Sequence, residues 1–239
     1  GFKCGIVGLP NVGKSTLFNA LTETSSAEAA NYPFCTIEPN SGIVSVPDKR
    51  LDALSNLAKS QKTIPAQMQF VDIAGLVSGA SKGEGLGNKF LSHIREVDAI
   101  IHVVRCFENT DITHVDNTIN PLRDTETIDT ELMLADLESL ERQTQNLSKK
   151  AKSNDIDAKN DLVLMTKLTE FLSDGIQLRL ANLTDEDKTR IKTFNLLTSK
   201  PVLYACNVSE NDASIGNNFT KNIFDLSLIH ISEPTRLGA

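Results

Sequence analysis

Aromatic residues are scarce in this sequence of 239 residues, which contains no tryptophan, two tyrosines and ten phenylalanines. Side chains that stack on the bases of a single-stranded nucleic acid are therefore few. Basic residues are outnumbered, because 24 Lys and Arg stand against 31 Asp and Glu and leave a net charge of −7. This balance argues against indiscriminate nucleic-acid binding, and we expect no sequence-specific DNA partner.

Long apolar runs are also missing, since no stretch of eighteen consecutive apolar residues occurs. The sequence therefore predicts no transmembrane helix and no membrane partner. Its first apolar stretch leads into a glycine-rich motif, which is unlike a signal peptide. The four cysteines (Cys4, Cys35, Cys106 and Cys206) form no CxxC pair, and they predict buried thiols in a reducing compartment. Together these features predict a cytoplasmic protein.

Short apolar runs and helical patterns alternate along most of the chain. We predict strands at 3–7, 42–46, 68–73, 99–105 and 201–207. Helical patterns are found at 14–21, 49–59 and 88–97. Most of the strands are apolar on both faces, which is typical of a parallel sheet. The predicted fold class is therefore α/β, a mostly parallel sheet with helices on both faces.

The pattern changes between residues 127 and 195, where apolar residues recur at helical spacing and no strand signal occurs. We interpret 127–195 as an inserted helical hairpin, with the polar stretch 148–161 as its turn; a single long crossover is the alternative. The nucleotide-binding domain would then comprise 1–126 and 196–226. Residues 227–239 show no helical or strand period, and we interpret them as a tail foreign to the fold.

Residues 8–15 read GLPNVGKS and match the phosphate-binding pattern GxxxxGK[ST]. The pattern follows a predicted strand and opens a predicted helix, so backbone N–H groups and the helix dipole would face a bound phosphate. Lys14 would reach the β- and γ-phosphates, and Ser15 would hold Mg²⁺. The predicted nucleotide-binding residues of this segment are Asn11, Val12, Gly13, Lys14, Ser15 and Thr16.

Two further segments complete the predicted site. Asp72 ends a buried strand and suits a contact with Mg²⁺, while the N–H of Gly75, three residues on, suits the γ-phosphate. Thr36 lies in the loop before the second predicted strand, where a threonine can close over the metal ion. From spacing alone, Thr36 is equally well an ordinary loop residue.

Five segments of the sequence together resemble the YchF/Obg-like ATPases, a branch of the translation-factor GTPases. They are 8–16 (GLPNVGKST), 31–40 (NYPFCTIEPN), 72–76 (DIAGL), 79–87 (GASKGEGLG) and 102–109 (HVVRCFEN). The resemblance covers about residues 1–212. It implies a P-loop domain with an inserted helical coiled coil, and it supports Thr36 as a metal ligand. Members continue into a small C-terminal TGS domain, so it also implies that this chain corresponds to the N-terminal part of a longer protein.

The resemblance also implies a hydrolytic activity and a ribosomal partner. Ras-like GTPases place a water-orienting glutamine directly after the DxxG glycine, but this position is Leu76, an aliphatic residue that the family shares. His114 matches a histidine that the family uses for hydrolysis, although by itself it reads as a surface loop residue. Asn11 corresponds to a position that coordinates K⁺ in related proteins. The alternative is a nucleotide-gated binding module with negligible hydrolysis.

The segment after the last predicted strand bears on the choice of base. Guanine-specific proteins carry NKxD there, and the aspartate pairs with guanine. Here the sequence is NVSE, so Val208 replaces the lysine and Glu210 the aspartate, while Asn207 is retained. We therefore predict that Asn207, Val208 and Glu210 form a base site that binds ATP at least as well as GTP, in which Asn207 holds either the purine edge or the loop itself. A conventional GTPase is the alternative.

Overall fold

The computed structural model describes residues 1–22, 40–73, 86–108, 118–151 and 155–230. The elements of these residues are β1 (Phe2–Val7), α1 (Lys14–Thr22), β2 (Ser41–Ser45), α2 (Lys49–Ala58), β3 (Gln67–Asp72), α3 (Leu86–Arg95), β4 (Ala99–Arg105), α4 (Pro121–Ala151), α5 (Ile156–Ser173), α6 (Asp185–Ile191), β5 (Val202–Asn207) and α7 (Asn218–His230). Within them, no helix combines the length and the apolar character that a membrane crossing requires.

The strands form one five-stranded sheet in the order β2-β3-β1-β4-β5. β1 pairs in parallel with β3 and β4, and β4 pairs in parallel with β5, which confirms the predicted mostly parallel α/β fold. β2 is the exception, because it runs antiparallel to β3 at the edge of the sheet, and its residues are only half-buried. Its sequence, SGIVS, does not indicate whether the strand is parallel or antiparallel, since strand direction depends on how the chain returns to the sheet.

The register of the parallel strands brings their carboxyl ends to one edge of the sheet. Ile6 lies opposite Asp72, and Arg105 lies opposite Asn207. The central strands are anchored by buried side chains such as Ile6 and Ile100, which are almost fully inaccessible to solvent. In an open α/β sheet, ligands bind outside the carboxyl ends of the strands. The fold therefore places the phosphate motif and Asp72 where a ligand site is expected.

Helix α4 connects the sheet to the helical region. Ile128 and Leu132 pack in the core cluster of the sheet, whereas Leu140, two turns further on, packs with Leu164 and Leu168 of α5. The helix begins at Pro121, a position that suits proline because its missing N–H needs no partner in the first turn. The boundary predicted at 127 thus falls inside one continuous helix, and the division into domains stays a prediction.

Two details of the predicted helical segments are wrong. The turn predicted at 148–161 is much shorter, because α4 continues to Ala151 and α5 already begins at Ile156, capped by the Asp155 side chain. Exposed polar residues at helix ends resemble a turn in composition. The sequence also shows no helical period in 227–239, whereas α7 extends through residues 227–230. The interpretation of 227–239 as a tail foreign to the fold stays a prediction. Earlier apolar residues of α7, among them Ile223, pack on the sheet and hold this helix.

The segment that precedes β5 is held by a buried carboxylate of α4. Asp136 Oδ1 accepts a hydrogen bond from the Leu197 N–H at 2.8 Å. Its Oδ2 accepts from the N–H and the hydroxyl of Thr198, at 2.8 and 2.7 Å. All three residues are fully buried. Asp136 therefore fixes the chain at the point where it enters the last strand of the sheet.

A buried histidine of β4 lies between the sheet and the helical region. His102 packs beside Tyr204 of β5, with 5.6 Å between the ring centroids, and the charged groups near it are Asp129 of α4 and Arg179. Arg179 and Asp129 pair with each other at 3.2 Å. Burial lowers the pKa of His102 to about 4, which Asp129 opposes and Arg179 reinforces. His102 is therefore neutral inside the protein at pH 7.

The neutral state of His102 predicts a loss of stability in acid. The unfolded chain takes up this proton near pH 6.5 but the folded protein only near pH 4, so its contribution is complete above pH 6.5 and is lost as pH falls toward 4. Relative to His102→Leu, we expect the free energy of unfolding of the wild-type protein to fall by about 3 kcal/mol across this window. Urea unfolding at several pH values measures the difference.

The matched control is His93→Gln, because His93 is an exposed residue of α3. This variant should follow the wild-type pH profile. Parallel profiles for the wild-type protein and His102→Leu between pH 6.5 and 4 would contradict the expected burial of a neutral His102.

Candidate nucleotide-binding site

The predicted phosphate motif forms the loop between β1 and α1. Two of its residues have left-handed backbone conformations, Asn11 with φ of 63° and Gly13 with φ of 95°. Gly8 is required by a close approach, because a Cβ there would lie 2.7 Å from the Val103 carbonyl oxygen. Helix α1 begins directly after Gly13, at Lys14. The loop therefore curls beneath a helix N-terminus, which is the arrangement that binds phosphate.

Three polar side chains of the site meet beside this loop. The Lys14 ammonium pairs with Asp72 Oδ1 at 2.6 Å, and both side chains are largely buried. The Ser15 hydroxyl donates to Asp72 Oδ2 at 3.1 Å. Lys14 and Ser15 lie in the first turn of α1, whereas Asp72 is the last residue of β3. The fold thus gathers a cation, a hydroxyl and a carboxylate from segments that are 57 residues apart in the sequence.

The last strand contributes a contact to the same loop. The side-chain amide of Asn207, at the end of β5, donates to the Val12 carbonyl oxygen at 3.0 Å. A Cβ on Gly13 would collide with this amide group, so a side chain at position 13 is excluded by both space and backbone conformation. Asn207 therefore supports the phosphate loop directly from β5, which is an edge strand of the sheet.

The other predicted base residues lie differently. Val208 is half-buried and packs against the apolar cluster of Val104, Cys106 and Ile223. Glu210 is exposed and begins a short 3-10 turn that ends at Asp212. Their part in binding a base stays a prediction.

Two residues that the sequence analysis did not identify order this turn. Asp212 Oδ2 accepts from the Ser209 hydroxyl and from the Asn217 side-chain amide, both at 3.0 Å. Asn217 also donates to the Cys106 carbonyl oxygen at 2.8 Å. A serine three residues before an aspartate is a sequence signal for such a turn. The contact between Asn217 and Cys106 spans 111 positions and has no local signal.

Several predicted site residues cannot be placed. Thr36, Gly75, Leu76 and His114 lie outside the described residues, and their roles stay predictions. Thr16 is exposed in the first turn of α1, and no described contact tests its role.

These features define a P-loop nucleotide-binding protein. The sheet is mostly parallel, a glycine-containing loop leads into a helix that begins with a lysine and a serine, and an aspartate ends the adjacent strand. Residues 3–136 match the family described as 50S ribosome-binding GTPase. The chain is 61% identical to the Ribosome-binding ATPase YchF of Pasteurella multocida over 211 residues, and 55% identical to that of Bacillus subtilis over 210. It belongs to the YchF family of P-loop proteins.

A solved structure agrees with this assignment. The YchF GTPase of Schizosaccharomyces pombe superimposes with a TM-score of 0.77 at 39% sequence identity, over 94% of this chain and 61% of that one. The matches to the P. multocida and B. subtilis proteins cover 88% of this chain, but only 58% and 57% of those proteins. The chain thus spans somewhat more than half the length of the relatives it matches.

Proposed function

We propose that this protein is a Mg²⁺-dependent nucleoside triphosphatase that acts as a nucleotide-dependent switch associated with the ribosome. The observation that carries the proposal is the convergence of Lys14, Ser15 and Asp72 beside a loop that Asn207 supports. Such a site favours positioning and charge neutralisation over covalent chemistry. Lys14 would hold the β- and γ-phosphates in line for attack by water, while the N–H groups of the loop bind their oxygens.

The donor set of the site fits a hard cation. Ser15 Oγ and the Asp72 carboxylate lie within hydrogen-bonding distance of each other and are oxygen donors of the kind that Mg²⁺ prefers. These two residues, with Thr36, would hold Mg²⁺, which neutralises charge on the phosphates when bound. We also propose K⁺ as a second cation, with the side-chain oxygen of Asn11 as one ligand.

The names of the relatives support the proposed partner but differ in the nucleotide. The proteins of P. multocida and B. subtilis are named ribosome-binding ATPases, whereas the S. pombe protein is described as a GTPase. A ribosome or ribosomal subunit is therefore the proposed partner. ATP is the proposed nucleotide because NVSE replaces NKxD, and GTP is the alternative. The proposed compartment, the cytoplasm, follows from this partner.

Phosphate release by the full-length protein tests the proposal. We expect single-turnover hydrolysis of ATP with Mg²⁺ and K⁺ to exceed that of ATP alone, and to fall when Mg²⁺ is chelated. Tight nucleotide binding with a rate equal to that of free ATP would favour the binding module without hydrolysis. Absence of nucleotide binding would overturn the assignment of the site.

His114→Ala is expected to lower the rate of hydrolysis while leaving the Kd for ATP unchanged. An imidazole that orders the attacking water acts mainly in the transition state, so its loss affects kcat and not ground-state binding. The loss is expected to be on the order of 100-fold, at the lower end for a general acid or base. The control is His93→Gln on the exposed side of α3. Wild-type turnover in His114→Ala would exclude His114 from hydrolysis and favour its interpretation as a surface loop residue.

ATP is expected to bind at least as tightly as GTP. Val208 lacks the stem and charge of the lysine of NKxD, and the longer Glu210 side chain misplaces the carboxylate that pairs with guanine. A site that lacks this pairing loses its main means of rejecting adenine. Equilibrium titration with both nucleotides in Mg²⁺ measures the ratio. A preference for GTP of a hundredfold, about 2.7 kcal/mol, would contradict the prediction.

A paired substitution makes this test sharper. Val208→Lys combined with Glu210→Asp restores the guanine-specific pattern at both positions. We expect this double variant to gain affinity for GTP relative to ATP, because the carboxylate then reaches the guanine edge. An unchanged ratio of the two Kd values would exclude Val208 and Glu210 from the base site.

A further inference from the structure

Two cysteines that are a hundred residues apart in the sequence meet at the ends of adjacent strands. Val104 of β4 lies opposite Cys206 of β5, and Cys106 follows two residues later on the same face of the sheet. The Cys106 N–H donates to the Asn207 carbonyl oxygen at 2.7 Å, which keeps the two strand ends together. Both cysteines belong to one apolar cluster with Ile223 of α7, so their side chains lie on the same side of these strand ends.

The two thiols differ in access to solvent. Cys106 is fully buried, whereas Cys206 is partly exposed. Cys206 also lines a groove of about 650 Å³ between β5 and α7, whose apolar walls include Leu203 and Phe224. A small neutral molecule in this groove reaches Cys206 first, and Cys106 lies behind it.

The two thiols also differ in acidity. The neighbouring Cys106 thiol lowers the pKa of Cys206, although burial opposes this shift. The same contact, together with burial, raises the pKa of Cys106. Because the thiolate is the nucleophilic form of cysteine, Cys206 is the more reactive of the two. Access and acidity therefore favour the same residue.

We propose that Cys206 and Cys106 form a peroxide-sensitive dithiol, in which Cys206 reacts with hydrogen peroxide in the groove and Cys106 closes a disulfide within the chain. The Cys206 thiolate attacks one peroxide oxygen and the O–O bond breaks. This yields a sulfenic acid and, with the thiol proton, one water. Cys106 then attacks the sulfenic sulfur, the S–S bond forms, and hydroxide leaves with the Cys106 proton as a second water. Two electrons pass from the thiols to the peroxide.

Closing the disulfide requires the strand ends to move. Residues of neighbouring parallel strands that are offset by two positions have Cα atoms about 8 Å apart, because the strands are about 4.8 Å apart and each residue rises about 3.3 Å. A disulfide needs less than about 7 Å. The adjustment falls beside Asn207, the residue that donates to Val12 of the phosphate loop. We therefore expect oxidation to weaken nucleotide binding. This consequence rests on the proposed function, whereas the disulfide itself does not.

The test uses the full-length protein carrying Cys35→Ala. Within residues 1–239 this variant keeps three cysteines, Cys4, Cys106 and Cys206. The protein is treated with hydrogen peroxide, alkylated, and analysed by peptide mass spectrometry. We expect a peptide pair that links positions 106 and 206, two hydrogens lighter than the thiols, and reversed by dithiothreitol. Cys206→Ala should abolish it, and Cys106→Ala should leave a sulfenic acid at Cys206 that dimedone traps. Cys4→Ala is the control, since Cys4 lies beside Met68 and away from the pair.

If Cys106 and Cys206 are both still thiols after peroxide treatment, and are therefore both alkylated, the proposal is overturned. A sulfinic acid at Cys206 with an unoxidised Cys106 would also overturn it. The Kd for ATP is measured on the same samples, and a loss of at least tenfold on oxidation, restored by dithiothreitol, is expected. A disulfide with unchanged affinity would overturn the coupling to Asn207 alone. If the protein forms the disulfide on oxidation but does not bind ATP even in its reduced state, the proposed function is overturned and the dithiol is still supported.

Discussion

Lys14→Ala is expected to weaken the binding of ATP by about 10- to 150-fold, because a hydrogen bond to a charged group is worth about 1.5–3 kcal/mol. The Lys14 ammonium is largely buried beside the loop and already pairs with Asp72 at 2.6 Å, so it is held where a phosphate would bind. Isothermal titration with ATP and Mg²⁺ measures the loss. We expect the same variant to lose hydrolysis in proportion.

The control for Lys14→Ala is Lys49→Ala, which removes an equal charge from an exposed position at the start of α2. It should bind ATP as the wild-type protein does. Because Lys14→Ala also leaves Asp72 without this partner, thermal unfolding of the variant is recorded beside the titration. A folded Lys14→Ala variant with wild-type affinity would remove the phosphate site from this loop.

Asp136→Ala is expected to lower the free energy of unfolding by about 2–4 kcal/mol, since removing one acceptor leaves several buried donors unpaired. The donors are the N–H groups of Leu197 and Thr198 and the Thr198 hydroxyl, all within 2.8 Å of the carboxylate. Urea unfolding measures the change. Because these residues precede β5, we also expect weaker support of the phosphate loop by Asn207 and hence a higher Kd for ATP.

Two comparisons isolate the effect of Asp136. Asp136→Asn keeps one acceptor oxygen and should be destabilised by less than Asp136→Ala. Glu138→Ala removes a carboxylate from an exposed position of the same helix and should stay within about 0.5 kcal/mol of the wild-type protein. Wild-type stability of Asp136→Ala would show that the segment before β5 is held by other contacts.

The placement of the residues predicted for the phosphate site was largely predictable, because their signals are local. A loop motif directly after a strand identified Lys14 and Ser15, and a carboxylate at the end of another buried strand identified Asp72. Their meeting followed from a general rule, since the carboxyl ends of parallel strands share one edge. The packing of Val208 was less predictable, because the residue type at a motif position does not indicate which neighbours its side chain will contact. Its side chain packs in the cluster of Cys106 and Ile223.

The sequence by itself determined the α/β class, the main strands and helices, and the phosphate loop, because periodicity and turn chemistry depend on neighbouring residues. Only the tertiary structure decided that β2 is antiparallel, that Asn207 supports Val12 across 195 positions, and that Cys106 and Cys206 pack in one cluster. The physical reason is that strand order and helix packing select which distant segments meet. The apolar or polar character of a residue indicates whether its side chain will be buried, but not beside which partner it will lie.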